Sequence, residues 1–271
     1  MIDVAITGAA GKMGKTLIQA IAESSALNLT AAIEPPGNPV IGADAGVLAG
    51  VGSNGILITD DLRAACESFD VLIDFTIAAA TVSNAAICVS ENRKMVIGTT
   101  GLSESECADL ATAAESIPIV HASNFSVGVN VTFKLAEVAA SILGNDVDIE
   151  ITEAHHRHKV DAPSGTAVTL GEVVAAQLDR KLADVAVYGR EGATGERDRN
   201  TIAFHSLRAG DIVGDHTVTF AGEGERIELT HRAQSRMNFA MGALKAVEFV
   251  SGQDSGMFDM QDVLGLKSIN L

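Results

Sequence analysis

Hydrophobic positions change their period near the middle of the chain. Residues 2–7 form a short apolar run that ends at Gly8-Ala9-Ala10-Gly11-Lys12-Met13-Gly14. Residues 15–24 carry Leu17, Ile18 and Ile21 at helical spacing, and residues 27–33 form a second apolar run closed by Glu34. The order is strand, glycine turn, helix, strand. The alternation continues with a strand over 69–75, a helix over 78–90 and a strand over 94–97 that ends at Gly98-Thr99-Thr100-Gly101. A helix over 103–116 follows, with Ser103 as its cap and Glu104 and Glu106 in its first turn, then a strand over 117–122.

Beyond that point the strands alternate apolar and polar residues, the mark of one buried face. Residues 147–153 and 201–207 read this way, and 217–221 and 226–231 pair as a hairpin through Gly222-Glu223-Gly224. Helices are predicted over 131–143, 163–178 and 239–250. The fold class is therefore α/β: a Rossmann-type parallel-sheet domain over 1–126, then an α+β domain with a mixed sheet over 127–236. Residues 237–271 return to the first domain. A wide half-buried sheet of this kind often meets its own copy in an oligomer.

Composition narrows the picture. The 271 residues are 47% hydrophobic and 20% charged, enough for a packed core. A formal net charge of −16 argues against nucleic acid and anionic membrane as partners. Cys66, Cys88 and Cys107 are odd in number and widely spaced, the pattern of a reducing compartment. No signal peptide precedes the first strand and no apolar run reaches transmembrane length, so a soluble cytoplasmic protein is expected.

The first glycine turn is placed for a dinucleotide. Gly8 allows the tight turn, Gly11 lets backbone approach a pyrophosphate, and Gly14 lets helix pack on strand. The free amides at the helix start favour phosphate. Glu34 lies twenty residues beyond Gly14, where an acid accepts from a ribose hydroxyl. The spacing is GxxGxxG, with the middle glycine moved by one relative to GxGxxG. Pro35-Pro36 follows Glu34, and Lys12 is in reach of a further phosphate, so NADH or NADPH is the expected cofactor. Thr76, Thr99, Thr100, Asn124 and Phe125 fall at carboxyl ends of strands, where open α/β sheets hold ligands.

Against this acidic background stands one basic island, His155-His156-Arg157-His158-Lys159. Such a cluster holds an anion, and a histidine in it moves a proton. The helix start at Ser164-Gly165-Thr166 offers amides to a second anion, so a ligand with two carboxylates fits the layout. Glu153 and Asp161 complete no standard zinc spacing, and the flanking Arg157 and Lys159 repel a cation, so no metal is expected. His121, His205, His216 and His231 are scattered and read as structural.

Together Gly8 to Gly14, Asp74-Phe75-Thr76, Gly98 to Gly101, Asn124-Phe125-Ser126-Val127-Gly128-Val129-Asn130 and the string EAHHRHKVDAPSGT over 153–166 resemble the 4-hydroxy-tetrahydrodipicolinate reductase (dihydrodipicolinate reductase) family. The resemblance runs from residue 1 to the Phe258-Asp259-Met260 tail. It implies NAD(P)H-dependent reduction of a small cyclic dicarboxylate imine, with loss of water, in lysine and diaminopimelate biosynthesis. It also implies a homotetramer built by the mixed-sheet domain. By position, Gly8, Ala9, Ala10, Gly11, Lys12, Met13 and Glu34 are implied on the adenosine and pyrophosphate side. Gly98, Thr99, Thr100, Ala122, Ser123, Asn124 and Phe125 are implied near the nicotinamide. His155 is implied as proton donor, Lys159 as the catalytic lysine, and His156, Gly165 and Thr166 as substrate contacts. Pro35 stands where many relatives place arginine, which leaves both nucleotides as expected reductants.

Two other classes fit the glycine turn. A thioester-forming semialdehyde dehydrogenase needs a nucleophilic cysteine in the second half, and all three cysteines lie in the first. A nucleotide-binding protein without catalysis has no need of His155, Lys159 and the anion-binding turn together.

Overall fold

The computed structural model describes residues 1–269. The chain divides into two compact units, Met1–Val127 with Arg236–Ser268, and Gly128–Ser235. Its elements begin with β1 (Ile2–Thr7), α1 (Lys12–Ala22), β2 (Leu27–Ile33), α2 (Ala45–Ala49), β3 (Ile58–Thr59), α3 (Leu62–Ala65) and β4 (Val71–Asp74). They continue with α4 (Ala78–Ser90), β5 (Lys94–Ile97), α5 (Glu104–Ala114), β6 (Pro118–His121), α6 (Val127–Leu143), β7 (Asp148–His155) and α7 (Gly165–Gln177). Then come α8 (Leu182–Val185), β8 (Ala186–Tyr188), β9 (Ile202–Arg208), β10 (Gly214–Ala221), β11 (Arg226–Ala233), α9 (Met237–Ser251), β12 (Gly256–Phe258) and α10 (Met260–Val263). The predicted return segment extends to residue 271, and its last two positions lie outside the described residues.

In the first unit seven strands run in the order β12-β6-β5-β4-β1-β2-β3, every neighbouring pair parallel. A parallel sheet must be covered on both faces, which is why these strands read as continuous apolar runs. Val4, Ile6, Ile73, Val96 and Val120 pack with Leu17 and Ile18 of α1 and Ala243, Leu244 and Val247 of α9. Leu72, Met95, Ile97 and Ile119 pack instead with Cys88 of α4 and Leu110 of α5. Ser103 closes a capping box: its Oγ accepts from the Glu106 amide at 3.3 Å, and its own amide donates to Glu106 Oε2 at 2.7 Å. The strand β12 was not predicted; three residues show no period, and only its pairing with β6 defines it.

The second unit has a mixed five-stranded sheet in the order β11-β10-β7-β9-β8. β10 is antiparallel to β7 and β11, and β9 is parallel to β7 and β8. On its inner face Ile149, Ile151, Ile202, Phe204, Val218 and Phe220 pack against Phe133 and Ala136 of α6 and Leu170 and Val174 of α7. The residues 127–146 correct one expectation, since this stretch is long and apolar enough, by length and composition alone, to cross a membrane. One stripe of α6 is committed to the core of this unit through Val129, Phe133, Ala136 and Ala140.

Candidate active site

In the first unit the glycine turn is shaped by its own carbonyls. Gly8 sits at φ +68°, a left-handed conformation that suits glycine. A Cβ at Gly14 would lie 2.2 Å from Gly8 O and 2.7 Å from Ala9 Cα, so α1 starts directly on the turn. Gly11, the N-cap, supplies no side chain, and the first helical amides, Lys12 and Met13, are left for an incoming group. Gly14→Ala is expected to cost about 1–3 kcal/mol of stability and to weaken NADH binding about tenfold, read by thermal denaturation and by nucleotide fluorescence titration.

Glu34 is buried and anchors this turn: its Oε1 accepts from the Ala10 amide at 2.7 Å and its Oε2 from Asn38 Nδ2 at 2.7 Å. A cleft of about 620 Å³ runs from Gly8 and Gly11 past Glu34, Pro35 and Pro36 to Ile77, Ala80 and Asn84. Its apolar walls fit an adenosine group, and the first amides of α1 lie on the turn beside it, so the residues present suit the nucleotide that the fold implies.

The strand-end threonines are not alike. Thr76 donates through its amide at 3.0 Å and its hydroxyl at 2.6 Å to Asp74 Oδ1. Thr99 is 2% exposed and its hydroxyl also reaches Asp74 Oδ1, at 3.3 Å. Thr81 and Asn84 complete the shell around that buried carboxylate. Phe125 is 1% exposed and packs its ring 5.2 Å from that of Phe75. The side chains of Thr99 and Phe125 therefore hold the strand ends in place, and what they offer a ligand is backbone. Gly98 is required by the Phe75 ring, which a Cβ there would meet at 2.1 Å. Thr100 and Ser123 are exposed, Ala122 is half-buried, and Asn124 Oδ1 accepts from the Ser126 amide at 2.8 Å.

In the second unit the island begins at a strand end. β7 runs through His155, and its inner face changes from apolar to polar over its last turn: Ile149, Ile151, Glu153, His155. Register places His216 of β10 opposite Glu153 and Arg208 of β9 opposite His155. Glu153 is 1% exposed, accepts from Arg208 Nη2 and Nη1 at 2.8 Å each, and holds His155 Nδ1 at 2.6 Å. That bond fixes Nδ1 as the protonated nitrogen of neutral His155 and leaves Nε2 for chemistry. A Cβ at Gly214 would come within 3.0 Å of His155 Nε2, so glycine keeps that side of the ring open.

His216, read from sequence as structural, belongs to this cluster. Its ring stands edge-on 5.1 Å from His155, and its Nε2 lies 2.9 Å from Ser164 Oγ. Ser164 Oγ in turn accepts from the Ala167 amide at 3.2 Å and caps α7, whose first residues are Gly165 and Thr166. Alternation along β10, with His216 in phase with Val218 and Phe220, was the signal for an inward-facing histidine. Nothing local in the sequence flagged Arg208, fifty-three residues from His155 (208 − 155). Lys159 turns its Nζ to both carboxylate oxygens of Asp161 at 2.8 Å. His156 keeps a buried Nδ1 with no partner among the described residues, while Arg157 and His158 are exposed.

The charges follow from these contacts. Burial pushes the Glu153 carboxyl up, but the bonds from Arg208, Ser206 and His155 outweigh it and hold it at about 2. Burial pushes His155 down, Glu153 pulls it up, and the charges of Lys159 and Arg208 leave it below its ordinary 6.5. His216 is pushed down to about 3 by burial and by His155, so it is neutral. On the opposite side of β7, Glu150 is likewise raised by burial yet held at about 2 by Arg190, Arg197 and His205. Both carboxyls titrate lower when folded than unfolded, so their contribution is full above the unfolded value near 4.5 and fades as pH falls towards 2. The thermal midpoint is expected to drop across that window, and Glu150→Gln is expected to flatten the drop.

Comparison with known proteins places these features. Residues 2–125 match the family profile described as dihydrodipicolinate reductase, N-terminus, and residues 128–264 the profile of its C-terminus. The chain is 59% identical over 263 residues to a 4-hydroxy-tetrahydrodipicolinate reductase of Alkalilimnicola ehrlichii, covering 97% of this chain and 98% of that one. It is 56% identical over 264 residues to the enzyme of that name from Saccharophagus degradans, again covering 97% and 98%. Among solved structures, a dipicolinate-bound dihydrodipicolinate reductase from Paenisporosarcina sp. TG-14 superposes with TM-score 0.77 at 24% identity, covering 97% of this chain and 99% of that one. An amine dehydrogenase from Mycobacterium smegmatis shares the fold at TM-score 0.59 and 13% identity, covering 94% of each chain.

Proposed function

The chain belongs to the dihydrodipicolinate reductase family, and on that premise we propose how its own residues carry the family's reaction. It reduces 4-hydroxy-tetrahydrodipicolinate to tetrahydrodipicolinate with NADH or NADPH and loss of water, in lysine and diaminopimelate biosynthesis.

The observation that carries the residue assignment is the meeting of His155, Lys159 and the Ser164-capped start of α7 in one unit. The amides of Gly165 and Thr166 take one carboxylate of the ring, and Lys159 with His156 takes the other side. Loss of water from the hydroxylated ring leaves a conjugated imine. A bound nicotinamide supplies hydride to the carbon that carried the hydroxyl. Lys159 stabilises the negative charge that then spreads towards the ring nitrogen. His155, its Nδ1 held by Glu153, gives the proton from Nε2. The empty site favours neutral His155, because burial outweighs the pull of Glu153. An arriving dianion reverses the balance, since a nearby opposite charge favours the protonated ring.

On the first unit, the helical amides of Lys12 and Met13 take the pyrophosphate, Glu34 takes a ribose hydroxyl, and the Gly98–Thr100 and 122–125 backbones border the nicotinamide. The family resemblance supports a homotetramer, and we assign its contacts to the sheet face opposite α6 and α7, which carries the exposed Leu207. Three free thiols suit a reducing, cytoplasmic setting. The test is nucleotide oxidation followed by absorbance. Freshly formed 4-hydroxy-tetrahydrodipicolinate should drive it and aldehydes should not, and pyridine-2,6-dicarboxylate should compete with the substrate but not with NADH. Competition with NADH would move the dicarboxylate away from the island.

A further inference from the structure

Arg208 ends β9 and touches both halves of the basic cluster. Its Nη1 and Nη2 each donate to one oxygen of Glu153, both at 2.8 Å, and Glu153 in turn holds His155 Nδ1 at 2.6 Å. Nη2 also donates to the backbone carbonyl of Asp161 at 2.6 Å. Asp161 is the residue whose carboxylate seats Lys159 Nζ at 2.8 Å on both oxygens. One guanidinium is thus tied to the proposed proton donor through a carboxylate and to the proposed cation through the turn that carries its partner.

We propose that Arg208 is a positioning residue that sets His155 and Lys159 together, so that the proton donor and the stabilising cation are presented to one substrate ring in a fixed relation. The inference rests on the assignment of His155 and Lys159 made above. A planar fork is needed for this, because two parallel bonds fix the plane of the Glu153 carboxylate and hence the direction of the His155 ring. A lysine at 208 would supply charge without the fork. A neutral residue would supply neither and would leave a buried carboxylate short of two charge-assisted bonds. The Asp161 carbonyl would lose its tie in the same change, loosening the turn that seats Lys159.

The charged and titratable groups facing His155 are few. Glu153 lies on its own strand, Arg208 on β9, His216 on β10 and Lys159 on the following turn. His216 stays neutral through the working range. Removing the Arg208 charge therefore leaves Glu153 acting on His155 with less opposition, and imidazolium becomes easier to form.

The experiment compares Arg208→Gln and Arg208→Lys with wild type in the full-length enzyme, from about pH 5.5 to 9, with His155→Gln as a control. Arg208→Gln is expected to lower kcat/KM about 100-fold and to move the basic limb of its pH profile upward. Arg208→Lys is expected to return the limb towards wild type while recovering less than about a tenth of the lost rate, because charge returns and geometry does not. Nucleotide dissociation constants, read by fluorescence, should stay at the wild-type value in both. If Arg208→Gln does not fold, the lysine variant carries the test through its retained limb and low rate. Wild-type rates in Arg208→Lys, or a rate loss in Arg208→Gln with an unmoved pH limb, would overturn the positioning role and leave Arg208 as a structural partner of Glu153. Wild-type turnover in His155→Gln would instead overturn the assignment of His155, whatever the Arg208 variants do.

Discussion

Lys159→Ala is expected to lower kcat/KM about 1,000-fold and to weaken pyridine-2,6-dicarboxylate about tenfold or more, with NADH affinity unchanged. The first figure is what one well-placed stabiliser of developing charge is worth in a water-poor site, where its loss costs about 100- to 1,000-fold. The second reflects a charge-assisted bond to a carboxylate, worth about 1.5–3 kcal/mol. Both effects follow from the proposed role of Lys159, in which it faces the substrate before and during hydride addition. In the empty site its ammonium rests on Asp161. The substrate therefore meets a cation already held in place by a carboxylate exposed enough to give way. Steady-state constants equal to wild type would remove Lys159 from the mechanism.

His155→Gln is expected to lower kcat about 100- to 1,000-fold while nucleotide binding stays intact. General acid catalysis contributes about 100- to 10,000-fold, and glutamine retains a hydrogen bond but has no proton to give. The pH profile should change with it. In the proposed mechanism the wild-type imidazole carries the needed proton below its folded pKa, so activity should fall as pH rises through that value. Burial, set against the pull of Glu153, places the value below 6.5 in the empty enzyme, and a bound dianion raises it. The variant should lose this slope, and a retained slope would assign the proton to another group.

The parallel-sheet unit was legible because its signals are local. Apolar runs bounded by turns gave β2, α4 and β5 with the boundaries seen in the structure, and Ser103 with Glu106 marked the start of α5. Gly8 and Gly14 announced the turn because one needs a left-handed backbone and the other leaves a Cβ no room against Gly8 and Ala9. What escaped was set by partners far away in sequence. α2, α3 and β3 are too short to show a period, and β12 exists only through β6. The island itself was legible as charge, but its order was not. Alternation along β7 continues two residues beyond the predicted strand and turns Glu153 and His155 inward together. Strand pairing then brings in His216 from sixty-one residues away and Arg208 from fifty-three (216 − 155 and 208 − 155). Thr99 and Phe125 were found by position at strand ends, yet their side chains serve the buried Asp74 and Phe75. Position on the sheet identified the edge where ligands gather, and only packing showed which atoms remain for them.

If the proposed chemistry holds, the end of β7 receives a cyclic dianion and becomes protonated at His155 as it does so. Calorimetric titration with pyridine-2,6-dicarboxylate near neutral pH, repeated in buffers of different ionisation enthalpy, measures that proton directly. Wild type should take up a substantial fraction of one proton per site, and His155→Gln should bind the ligand with almost no uptake. Equal uptake in the two proteins would contradict the account.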